Sequence, residues 1–76
     1  MPSETEEPDW DAGAMGCGDL VLGLRARLLP LAPGTMFRLR ATDPAAPEDI
    51  PAWCRMTGHA LASANHPVYI IRRKGA

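Results

Sequence analysis

The sequence predicts a two-layer α/β sandwich, ordered β-α-β-α-β-β, whose four-stranded mixed sheet carries both helices on one face. Two observations predict it. Leu20, Val21, Leu24, Leu28 and Leu31 recur at helical spacing, and Ile50, Trp53, Cys54 and Thr57 do so again, so each helix has a single apolar face. Between them Phe37, Leu39 and Ala41 alternate with Met36, Arg38 and Arg40, the pattern of a strand buried on one side only. One-faced helices bury that face against a one-faced sheet, which gives two layers.

The elements follow in order. Residues 1–8 are acidic and without periodicity, and are expected to form a disordered tail ahead of a domain over 9–76. Asp9-Trp10-Asp11-Ala12 supplies a short first strand, and glycines 13, 16 and 18 mark a loop. The first helix is expected from Asp19, whose carboxylate suits the first turn, and Pro30 falls where it ends. Gly23 inside that helix costs up to ~1 kcal/mol against Ala, which points to close packing there. Pro33-Gly34 turns the chain into a strand from Thr35 to Ala41, which Thr42-Asp43-Pro44 ends. The second helix is expected from Glu48 to Thr57, capped by Asp49, with Pro51 in its first turn and Gly58 as a left-handed C-cap. Ala60 to Ala64 forms a third strand, Asn65-His66-Pro67 a turn, and Val68 to Ile71 a fourth strand before Arg72-Arg73-Lys74. The expected core is Leu24, Leu28, Phe37, Leu39, Trp53 and Ile70.

A chain of 76 residues makes one small domain. A core of this size leaves roughly 3–5 kcal/mol of net stability and little room for a deep cleft. That favours a carrier, an adaptor or an obligate subunit over a self-contained enzyme. No apolar run approaches the ~20 residues that span a bilayer. The first eight residues have neither the basic nor the apolar region of a signal peptide, so the cytoplasm is the expected compartment. The net charge of −1 hides an asymmetry. Glu4, Glu6, Glu7, Asp9 and Asp11 crowd the first eleven residues, while from residue 12 eight bases stand against four acids, a body of +4. Such a body suits an acidic protein partner, and more weakly a nucleic acid.

Cys17 is the candidate for chemistry. It lies in Gly16-Cys17-Gly18-Asp19, at the start of the first helix. Unpaired backbone N–H groups and the positive end of the helix dipole both favour thiolate over thiol there. Gly16 and Gly18 put no side chain beside the sulfur, and Asp19 supports the helix start. Against this, a free cysteine is often a small buried hydrophobe. Cys54, on the apolar face beside Trp53, fits that description. Cys17, Cys54, His59 and His66 match no zinc spacing. His59 is expected to bond the last carbonyls of the second helix, and His66 to be solvated in its turn. There is no catalytic triad, paired-carboxylate arrangement or phosphate loop. Arg38 and Arg40 share one strand face, and with Arg25 they are candidates for docking a partner. Only Tyr69 could stack a base beside these cations, so nucleic-acid recognition is poorly supported.

From residue 9 to 74 the chain resembles the TusA/SirA/YedF sulfur carriers. Ala41-Thr42-Asp43-Pro44, then Asp49-Ile50-Pro51, then Gly58-His59 match the family's Ala-Asp-Asp-Pro, Asp-Ile-Pro and Gly-His at the same spacing. Val21, Arg25 and Gly34 also fall on family positions, and Cys17 falls on the cysteine of its Cys-Pro-x-Pro motif. Both motif prolines are absent, with Gly18 and Leu20 in their places, and Ala14 stands where the family has a glycine. The resemblance implies a carrier that takes a persulfide sulfur on Cys17 from a cysteine desulfurase. It then passes that sulfur to an acceptor protein in tRNA thiolation, cofactor synthesis or sulfur metabolism. The relay requires no cofactor, and the chain is expected to be a monomer without a membrane partner. Two other readings stand beside it: an interaction module that keeps the fold without the thiol chemistry, for which Gly18 and Leu20 speak, and a nucleic-acid-binding domain using the basic strands.

Overall fold

A computed structural model describes residues 7–75, apart from the side chain of Cys17. The expected tail over residues 1–8 therefore lies largely outside the described residues. The order is β1 (Trp10–Gly13), α1 (Cys17–Leu28), β2 (Met36–Ala41), α2 (Ala46–Thr57), β3 (Ala60–Asn65) and β4 (Val68–Arg72). The four strands form one mixed sheet in the order β1-β2-β4-β3. β1 pairs parallel with β2, and β4 pairs antiparallel with both β2 and β3. Strands β1, β2 and β3 therefore run one way and β4 the other.

The alternation in β2 sets the layers. Phe37, Leu39 and Ala41 are buried, and Met36, Arg38 and Arg40 lie on the open face. Across the ladder Phe37 faces Ile71 and Leu39 faces Tyr69. These four meet Leu20, Leu24 and Leu28 of α1 and Ile50, Trp53 and Cys54 of α2 in a single core. Ile70 is the exception to the expected core. It pairs with Arg38 on the open face, while Tyr69 and Ile71 take the buried positions. Val68 to Ile71 is apolar throughout, so its inward parity is set by the register with β2.

Both helices start earlier than expected. α1 opens at Cys17, three residues after Ala14, and Leu31 packs on the core from beyond its end. α2 opens at Ala46 with Ala45 as N-cap, so Asp49 lies inside the first turn and caps nothing. The capping turn belongs to Asp43, whose carboxylate accepts from the Ala45 N–H at 3.0 Å. Pro51 consequently sits beyond the first turn, where the helix forgoes the N–H that would have bonded the Pro47 carbonyl. Gly58 ends α2 at φ 90°, the left-handed conformation that favours glycine.

Candidate functional site

Each helix connects two parallel strands, so each runs back against them. The amino ends of α1 and α2 therefore lie together at the carboxyl end of β1, β2 and β3. Backbone bonds stitch this end of the sheet. Thr42 N–H donates to the Gly13 carbonyl and Ala41 N–H to the Pro67 carbonyl, both at 2.8 Å.

Cys17 is the first residue of α1 at this end. Gly16, the N-cap, is extended at φ −70° and ψ 164° and has no side chain to bond the helix. The Leu20 N–H donates to the Gly16 carbonyl at 2.8 Å, the first bond of the helical ladder. The N–H groups of Cys17, Gly18 and Asp19 precede that ladder and have no helical acceptor. Gly16, Gly18 and Asp19 are all exposed, and among the described residues a Cβ on either glycine would meet nothing within 4 Å beyond its chain neighbours. The backbone around Cys17 is thus open to a partner, with donors that have no acceptor among the described residues and the positive end of the dipole beside it.

Cys54 has the opposite setting. It is a free thiol, 3% exposed in the core, and burial pushes its pKa from the ordinary 9.0 up to about 11. An apolar thiol of this kind is inert at neutral pH.

The cations proposed for docking do not form one patch. Arg25 is exposed on α1, on the helix side of the sandwich. Arg38 and Arg40 lie on the open face of the sheet, where Arg40 pairs with Asp11 at 3.3 Å. A single flat partner surface cannot cover all three. The histidines also diverge. They bracket β3, whose six residues span roughly 20 Å, so they cannot share a metal ion. His66 is not simply solvated, since its Nδ1 hydrogen-bonds the Tyr69 hydroxyl. Neither does His59 bond the last helical carbonyls; its Nδ1 accepts from the Lys74 N–H, and Lys74 takes the carbonyl instead. Both partners come from β4 or its continuation, which local sequence does not reveal.

The family model described as sulfurtransferase TusA matches residues 10–73. The chain belongs to the TusA family. The chain is 37% identical over 68 residues to the sulfur carrier protein TusA of Pseudomonas paraeruginosa, covering 84% of this chain and 86% of that protein. To the TusA of Pseudomonas putida it is 33% identical over 78 residues, covering 97% of this chain and 98% of the relative. At the helix start of this TusA-family chain, Leu20 stands in place of the second motif proline. A proline at position 20 has no N–H, whereas Leu20 makes the first ladder bond and buries its side chain to 1% exposure. No helix among the described residues is long and apolar enough to cross a membrane.

Proposed function

We propose that the chain is a sulfur carrier that holds one sulfane sulfur on Cys17. The observation that carries this reading is the position of Cys17 as first residue of α1, between two exposed glycines, at the end where both helix amino termini converge. The family relatives named sulfur carrier proteins support it. In the reaction the Cys17 thiolate attacks the outer sulfur of a persulfide on a cysteine desulfurase. The donor's sulfur–sulfur bond breaks, the donor cysteine leaves as thiolate, and Cys17 becomes Cys17–S–SH. An acceptor thiolate repeats the attack and takes the outer sulfur, which is used in tRNA thiolation, cofactor synthesis or sulfur metabolism. The steps need no cofactor and no cleft. They need a thiolate, free access and a recognition face. The reading places a monomer in the cytoplasm.

The +4 body from residue 12 supplies long-range attraction to an acidic donor, while its four acids, Asp19, Asp43, Glu48 and Asp49, gather at the helix amino ends beside Cys17. Arg25 is the docking cation on the helix side of the sandwich, in the last turn of α1 and about 12 Å along the helix from Cys17, whereas Arg38 and Arg40 lie behind the sheet. The test is transfer of labelled sulfur from cysteine through a desulfurase. Label should reach the parent and Cys54→Ser, bypass Cys17→Ser, and arrive more slowly at high salt. Equal labelling of Cys17→Ser would refute the role of Cys17.

A further inference from the structure

Both helices end at the pole opposite Cys17, and the residues that follow β4 fasten both ends. Arg73 Nε donates to the Leu28 carbonyl and Nη2 to the Leu29 carbonyl, each at 3.2 Å. Lys74 Nζ donates to the carbonyl of Thr57, the last residue of α2, at 2.9 Å. Cations here meet carbonyls at the helix ends, that of Leu28 also accepting from the Leu31 N–H at 3.0 Å, and the negative ends of two dipoles. The Arg73 backbone is anchored separately, its N–H to Thr35 and its carbonyl to Gly34, both at 2.9 Å. Lys74 has a different anchor. Its N–H donates to His59 Nδ1 at 3.0 Å, and the His59 ring stacks on Trp53 with centroids 5.3 Å apart.

We propose that His59 is a proton-operated latch, whose neutral Nδ1 holds Lys74 against the end of α2 and whose protonation releases it. The bond requires a lone pair on Nδ1, so the ring carries its proton on Nε2. A proton on Nδ1 turns the acceptor into a donor facing a donor. The charged groups facing His59 are Lys74 and Arg73, both cations; α2 presents the uncharged Trp53 ring and β3 begins with Ala60. The carboxyl end of α2 favours a cation, but its Thr57 carbonyl is already taken by Lys74 Nζ. Burial first, then Lys74 and Arg73, hold the His59 pKa below its ordinary 6.5. The unfolded chain therefore binds the proton first as pH falls. The latch is closed at neutral pH, and the stability it contributes is lost as pH falls from 6.5 through the lower folded value. This device is independent of the sulfur chemistry at the other pole.

Amide hydrogen exchange followed by NMR from about pH 8 down through the titration of the His59 ring tests the latch. After correction for intrinsic rates, Lys74 protection should fall at least about tenfold towards the acid end, while Leu39 stays protected. The midpoint should coincide with the titration of the His59 ring shifts. In His59→Asn, whose side-chain oxygen accepts without titrating, the pH dependence should vanish. Lys74 protection that does not change with pH, or that changes at a midpoint apart from that of His59, overturns the proposal. So does an unchanged pH dependence in a folded His59→Asn.

Discussion

A Cβ at Gly23 would lie 2.4 Å from Cη2 of Trp10, so the β1 tryptophan occupies the space that any other residue's side chain would need. Arg27, one turn along α1, covers the same ring with its guanidinium 3.9 Å from the centroid. Its Nη1 also donates to the Gly23 carbonyl at 3.2 Å. The glycine that weakens α1 locally is what lets the helix lie on β1.

Gly23→Ala should therefore destabilise the fold despite the better helix former. The gain in propensity, about 0.5–1 kcal/mol, is outweighed by overpacking of about 1–3 kcal/mol. Urea unfolding of Gly23→Ala, alone and with Trp10→Leu, measures this. The penalty should shrink in the double variant, and a more stable single variant would contradict the packing.

The register of β4 makes a second prediction. Ile71→Ala empties a fully buried position and should cost about 2–5 kcal/mol. Ile70→Ala, on the open face beside Arg38, should cost about 1 kcal/mol. Thermal melts of the pair distinguish the two parities, and equal losses would mean that the strand is not one-sided.

The helix start supplies a third. Gly18→Ala meets open space and should stabilise by about 0.5–1 kcal/mol. Leu20→Pro restores a residue of the family motif, yet here it removes the bond to Gly16 and a buried side chain, and should cost about 2–4 kcal/mol. Denaturant midpoints of both variants check the signs, which should be opposite.

Much of this fold was legible in the residues. The alternation of Met36 to Ala41 and the two helical stripes define the layers, and Gly58 marks the end of α2. What escaped local reading depends on distant partners. Ile70 and Ile71 are alike until β2 sets the register. Asp49 looks like a cap because nothing nearby shows that Asp43 has already turned the chain into α2. The partners of His59 and His66 lie on or after β4. For the candidate site, Gly16 is the N-cap of α1 and Gly18 and Asp19 lie in its first turn, a start two residues ahead of the expected one, and the division of Arg25 from Arg38 and Arg40 needed the sheet.

Cys54 makes an alkaline prediction. Its pKa is raised on folding, so the unfolded chain ionises first. The stability is whole below pH 9.0 and is lost as pH rises towards about 11. Unfolding at a series of alkaline pH values should show that loss, and Cys54→Val should reduce it, leaving the part that belongs to Tyr69, whose pKa burial also raises. In the folded parent at neutral pH, limited alkylation should label Cys17 well ahead of Cys54. Equal labelling would contradict the inert setting of Cys54.

The central claim is that Cys17 carries the sulfur, and intact-mass analysis with fragmentation after incubation with a cysteine desulfurase and cysteine tests it most directly. The parent should gain one sulfur atom, located on Cys17 and removed by a reductant, and Cys54→Ser should do the same. An added sulfur located on Cys54, or a parent that gains none while its Cys17 labels no faster than a cysteine in a free peptide, would contradict the account.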